Sequence, residues 1–165
     1  MSENPYFEIL RALARAKVEF IIGGGVACVL QGVERVTMDV DLALLMTPGN
    51  WGEFLKIMRS LNLTPRVPIA PESLLDAGVV RMILEEKHAL VFSFVDVNRP
   101  IRHVDIFLRP DLSFESLLPD TEWINLGEYA VRVVNKRRLL QLKLGIHPPR
   151  TKDALDIEFL RQHVR

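Results

Sequence analysis

Apolar residues recur at helical spacing near the start of the chain. Phe7, Leu10, Leu13, Ala14 and Val18 follow Pro5 at steps of about three or four, which predicts an amphipathic helix over 5–17. The pattern then tightens into Phe20-Ile21-Ile22, a short buried strand, which Gly23-Gly24-Gly25 turns into a second short helix ending at Gly32. Residues 38–46 (MDVDLALLM) read as a long apolar strand. Pro48 and Asn50 open a third helix over 51–61, with Trp51, Phe54, Leu55 and Met58 on one stripe. Residues 71–87 read as helix in two pieces, and 88–97 and 102–108 as strands joined by a hairpin-type turn at Asn98-Arg99-Pro100. A shorter strand pair, 123–126 and 129–134, flanks Gly127-Glu128. Asn135 caps a helix through Leu144, Pro148-Pro149 break it, and Thr151 starts the last helix.

These elements predict an α+β fold: a small mixed β-sheet flanked by helices, with a helical C-terminal segment. The 165 residues suit a single domain over 1–165, with a core of about 5–110 and a C-terminal hairpin and helices over about 120–165. A 48% hydrophobic and 25% charged composition is too apolar for a disordered chain and too evenly charged for a membrane protein. The longest nearly uncharged run, Phe20 to Leu30, contains three glycines and is too short to span a bilayer. With no basic-flanked leader at the N-terminus, the expected location is the cytoplasm, with no membrane partner. The single cysteine, Cys28, excludes an internal disulfide and a multi-cysteine zinc site, and its apolar neighbours predict a buried small hydrophobe.

Lys and Arg total 21 against 21 Asp and Glu, so bulk electrostatics does not point to nucleic acid. The balance hides a segment from Arg132 to Lys152 that carries Lys136, Arg137, Arg138, Lys143 and Arg150 and no acidic residue. Acidic chemistry lies elsewhere. Asp39 and Asp41, two apart on a strand, point to one face, and their apolar neighbours Val40, Leu42 and Leu44 bury that strand. Two like charges so placed need a cation, which a Lys, an Arg or a divalent ion such as Mg²⁺ would supply. Asp105, inside His103-Val104-Asp105-Ile106-Phe107, occupies the same kind of setting. Three carboxylates on neighbouring strands would seat divalent metal; the structural alternative has an Asp capping a turn and Asp105 paired with Arg102 or Arg35. Gly23-Gly24-Gly25, at a strand-to-helix turn, offers free backbone N–H groups to an anion, although no P-loop Lys-Ser/Thr follows.

The glycine turn, short helix, Asp39-x-Asp41 and later lone Asp105 together resemble the nucleotidyltransferase superfamily. The finer pattern Gly32-x-x-Arg35-x-Thr37-x-Asp39-x-Asp41 is similar to the minimal, toxin-associated branch related to AbiEii and MenT proteins. Lys143, followed by Arg150-x-Lys152-Asp153-x-x-Asp156, resembles that branch's closing motifs. The match runs from Gly23 to Asp156, while residues 51–97 contribute no motif. A serine often follows the paired glycine in related enzymes; here the position is Gly25.

The resemblance implies a nucleotidyltransferase that uses Mg²⁺ (or Mn²⁺) held by Asp39, Asp41 and Asp105, and moves a nucleoside monophosphate from a nucleoside triphosphate such as ATP or GTP to an acceptor hydroxyl. Gly24, Gly25, Arg35, Thr37 and Lys143 would contact the nucleotide, with Arg150, Asp153 and Asp156 in support. Lys143 stands among leucines on its helix and needs a partner, for which a triphosphate is suited. The toxin-like branch implies an RNA or tRNA acceptor and an antitoxin partner. Small antibiotic-modifying transferases share the pattern and give the alternative acceptor. A non-catalytic nucleotide-binding regulator and an Asp-x-Asp glycosyltransferase are the remaining readings. His103, on the face of Asp105, could approach the acceptor, although a lone histidine is more often structural.

Overall fold

The computed structural model describes residues 4–164; residues 1–3 and Arg165, the ends of the expected 1–165 domain, lie outside it. Helix α1 (Pro5–Arg15) starts where the Asn4 side chain accepts the Tyr6 N–H, and it buries Tyr6, Ile9, Leu10 and Leu13. Strand β1 (Phe20–Gly23) runs into helix α2 (Gly24–Leu30), and β2 (Val40–Leu44) follows. Helix α3 (Pro48–Ser60) begins earlier than the apolar stripe predicts. Thr47 accepts the Asn50 N–H and Pro48 fits the first turn, so the cap rather than the first buried residue sets the start.

The middle of the chain holds β3 (Thr64–Pro65), a 3₁₀ turn (Pro71–Leu75), helix α4 (Ala77–Glu86) and strands β4 (Val91–Asp96) and β5 (Arg99–Phe107). The β4–β5 turn is tighter than predicted. Asp96 Oδ1 accepts the N–H groups of Asn98 and Arg99, which puts Arg99 and Pro100 in β5 rather than in the turn. Short helix α5 (Phe114–Leu117) precedes β6 (Thr121–Asn125) and β7 (Ala130–Val134). Asn135 caps helix α6 (Lys136–Leu144), and α7 (Thr151–His163) closes the chain.

Among the described residues seven strands form one sheet in the order β3-β4-β5-β2-β1-β7-β6. The β2–β5 and β1–β7 pairs are parallel and the other neighbours antiparallel, so the sheet is mixed as predicted. The C-terminal hairpin is not an appendage. β7 pairs with β1 and extends the sheet that carries Asp41.

Register sorts the two faces. Phe92, Ile106, Leu42 and Ile22 face one another across four strands, all nearly fully buried, and continue into a cluster of Trp51, Phe54 and Phe94 beneath α3. Burial of side chains this large stabilises the fold by roughly 1.5–3 kcal/mol each. One residue along, on the opposite face, the row reads Ser93, Asp105, Asp41 and Gly23. Helix α2 packs on the central strands, α6 packs on α2 and α7 on α6, with Val26, Cys28, Leu139 and Leu160 in the same continuous core. Cys28 is fully buried, and burial first, then Asp156, pushes its thiol up to about 12. Among the described residues no helix is long and apolar enough to cross a membrane.

Candidate functional site

The carboxylates meet because β2 and β5 run parallel in a register that sets Asp41 directly beside Asp105. Neighbouring strands lie about 4.8 Å apart, so side chains at one level on one face are close neighbours. Asp39 lies just before β2, with its side chain 53% exposed, whereas Asp41 and Asp105 are half-buried. Burial raises Asp41 most, and the charges of Asp105 and Asp39 add to it; Lys143 and Lys152 offset only part, leaving the carboxyl at about 7.

His103 and Ser93 complete the polar face. His103 Nε2 stands 2.9 Å from Asp105 Oδ1 and its Nδ1 3.3 Å from Asp39 Oδ1, so the ring bridges two acids. The Ser93 hydroxyl donates to Asp105 Oδ1 at 2.5 Å. The structural alternative for Asp105 is not realised: Arg102 pairs with Asp96 and Arg35 with Asp156.

The glycine turn is shaped by the acid beside it. Gly24 has φ +60, and a Cβ there would fall on Asp41 Oδ2, so only glycine lets this carboxyl lie against the turn. A Cβ at Gly25 would come within 2.6 Å of Thr37 Oγ1 and 3.0 Å of Arg35 Nη2. The space a side chain at 25 would use is filled by the threonine hydroxyl.

The expected basic partners are tied together from behind. Lys143 is 94% buried, and its ammonium lies 3.0 Å from Asp153 Oδ1 and 2.9 Å from Asp156 Oδ2. Arg35 forks onto both oxygens of Asp156 at 2.7 and 2.9 Å, and Arg150 onto Asp153 at 2.7 and 3.1 Å. Asp153 also accepts the Arg150 N–H, which starts α7. The result is an alternating chain, Arg35–Asp156–Lys143–Asp153–Arg150, with three cations on two fully buried acids. Burial alone would push both carboxyls up; at Asp153 the hydrogen bonds from Arg150 and Lys143, and at Asp156 those from Arg35 and Lys143, outweigh it and hold them well below the usual range. Burial likewise opposes the Lys143 charge, but the two acids raise it above an ordinary lysine. The partner that Lys143 needs is therefore supplied within the chain, and Asp153 and Asp156 share the task of holding it.

One cavity of about 480 Å³ gathers these parts. Gly24, Gly25, Arg35 and Thr37 line one side, and Asp39, Asp41 and Asp105 the floor. Lys143, Arg150 and Lys152 line the wall formed by α6 and α7, while Asp153 and Asp156 stand behind it. Sequence reasoning missed Phe107, Arg109 and Gln141, which also line it, and Ser93 beneath it. Phe107 and Ser93 carry a faint signal, since alternation along β5 and β4 places both on the site's face. Arg109 and Gln141 carry none.

Among the described residues no three acidic, His or Cys groups converge as a ready metal cluster. The donor set nevertheless suits a hard divalent cation. It is all carboxylate oxygen, and a divalent cation there would offset the burial and the charges of Asp105 and Asp39 that raise Asp41.

No protein-family model matches the sequence, and no curated protein matches it. Solved structures do. The chain is similar to the lincosamide antibiotic adenylyltransferase LnuA, solved with lincomycin bound, at 16% identity and TM-score 0.64, over 98% of this chain and 97% of that one. It is also similar to an antigenic nucleotidyltransferase-like protein from Paracoccidioides brasiliensis (17% identity, TM-score 0.54, 96% and 75% covered). A third likeness is to JHP933 from Helicobacter pylori (16% identity, TM-score 0.54, 99% and 68% covered). At these identities the likeness is one of fold: the chain has a nucleotidyltransferase-like fold.

Proposed function

We propose that the protein is a metal-dependent nucleotidyltransferase that moves a nucleoside monophosphate from a nucleoside triphosphate to an acceptor hydroxyl. The observation that carries this reading is the row of Asp41 and Asp105 side by side on parallel strands, facing one cavity with the glycine turn and the α6–α7 cations. Asp39, Asp41 and Asp105 would hold Mg²⁺ or Mn²⁺, which, when bound, neutralises phosphate charge and favours the ionised acceptor hydroxyl. The backbone at Gly24 and Gly25, the Thr37 hydroxyl and the cations Arg35, Lys143 and Arg150 bind the triphosphate. Asp153 and Asp156 keep those cations charged and aimed before any ligand arrives. The acceptor oxygen attacks the α-phosphorus in line and pyrophosphate leaves.

The acceptor we favour is a small hydroxyl compound. Lys143 and Arg150 are held by internal acids, Arg138 approaches Asp120, and Arg132 stacks over Trp123, so much of the 132–152 basic segment is engaged within the fold. The likeness to an antibiotic adenylyltransferase over nearly the full length of both chains supports the same choice. An RNA or tRNA acceptor, with an antitoxin partner and a cytoplasmic setting, is the second reading; the run from Gly32 to Asp41 favours it.

The test is incubation with each α-labelled nucleoside triphosphate, Mg²⁺, and either total RNA or a panel of hydroxylated antibiotics. Label transferred by the wild type and lost in the Asp39→Ala/Asp41→Ala double variant is the expected result. The labelled product identifies the acceptor. Nucleotide binding without pyrophosphate release under every acceptor would overturn the enzymatic reading in favour of a regulatory nucleotide-binding module.

A further inference from the structure

Two polar side chains beneath the cavity converge on one oxygen of Asp105. Ser93 lies opposite Asp105 on β4 and donates to its Oδ1 at 2.5 Å. His103, two residues earlier on β5 and so on the same face, places Nε2 2.9 Å from that same oxygen. Neither residue lines the cavity, so neither is positioned to act on a ligand except through Asp105 or Asp39. Among the described residues no hydrogen bond reaches Asp105 Oδ2. Strands β4 and β2 flank β5 on opposite sides, so Ser93 holds Oδ1 from the side away from Asp41. The final torsion of an aspartate is broad and roughly two-fold, and an untethered carboxyl would sample many orientations. Two donors on one oxygen remove that freedom.

The surroundings of Ser93 sharpen the point. Its neighbours on the same face of β4, Val91 and Val95, are apolar, as a half-buried strand prefers. The single hydroxyl in this run falls at the one β4 position that faces a carboxylate. His103 extends the arrangement, because its Nδ1, 3.3 Å from Asp39 Oδ1, links the exposed acid to the buried one through one ring.

We propose that Ser93 and His103 are positioning residues: they preset Asp105 so that Oδ2 is the oxygen presented, beside Asp41, to a divalent cation. This rests on the reading of the site as metal-dependent, and the test separates the two. Metal-free protein is titrated with Mn²⁺ alone, without nucleotide, and free Mn²⁺ is followed by electron paramagnetic resonance. Wild type binds, and Asp105→Asn loses that binding. Ser93→Ala and Ser93→Val weaken Mn²⁺ by about 10-fold or more, the loss expected when a group that orients a ligand is removed, and His103→Ala does the same. Ser93→Thr, which differs from Ser93→Val only in keeping the hydroxyl, binds as wild type does. The Thr/Val pair suits a strand, so the comparison holds even if the alanine variant folds poorly. Wild-type Mn²⁺ affinity in Ser93→Val, or equal weakening in Ser93→Thr, overturns the positioning role alone. Wild-type affinity in Asp105→Asn, or no binding by the wild type, overturns the metal reading along with it.

Discussion

Asp41 concentrates the chemistry of the site in one residue. Its carboxyl stands at about 7 in the folded protein against 3.8 ordinarily, because burial and then Asp105 and Asp39 disfavour its charge. Across that range the folded state keeps a proton that the unfolded chain has lost, so the stability tied to Asp41 is whole below about 3.8 and is lost as pH rises through about 7. Asp41→Asn removes this penalty. The metal-free variant is expected to melt above the wild type at about pH 8, with the difference closing toward about pH 5, while transfer activity is lost; thermal melts at the two pH values check it. That Asp41 lies on the face opposite Val40, Leu42 and Leu44 was legible in the sequence because strand alternation is local, although Asp39 falls just outside the strand. That Asp105 stands beside Asp41, and Ser93 beside Asp105, was not, since strand register is decided by contacts distant in the chain.

At the scale of elements, the joint between α6 and α7 repeats the lesson. A lysine among leucines announced that Lys143 needed a partner, yet naming it required the phase of α7 after Pro148-Pro149, which periodicity leaves open. The partners prove to be two acids with no exposed surface, each also held by an arginine. Lys143→Met strips a shared cation from both. Breaking a buried ion pair from one side costs about 3–5 kcal/mol, and urea unfolding at neutral pH is expected to show a loss of that order. The joint also weakens in acid: with both carboxyls held below their ordinary values, its contribution is present above the usual carboxylate range and lost as pH falls through the folded values. The short α5 and the two-residue β3 escaped the sequence, and the β4–β5 turn was expected but placed slightly late, because each is set by one cap or one contact rather than by a repeating pattern.

For the molecule as a whole, one core runs from Leu10 of α1 through the sheet to Leu160 of α7, and the C-terminal hairpin joins the same sheet as the carboxylates. Unfolding is therefore expected to be a single cooperative event, with far-ultraviolet circular dichroism and tryptophan fluorescence giving coincident urea transitions; Trp51, 1% exposed, reports on the core and Trp123 on the hairpin. A hairpin transition separated from the rest would show that β6 and β7 form their own unit. The zero net charge also has an internal anatomy, with acids on the floor of the cavity and an excess of cations on its α6–α7 wall. The two ends of the sheet are unlike. At one end, β3 offers two residues, the second a proline that has no N–H to give. At the other, β6 runs for five residues and carries the Trp123 indole, 64% exposed. Among the described residues β6 is thus the longer outer strand, and charge or proline introduced there would be the way to silence growth by strand addition.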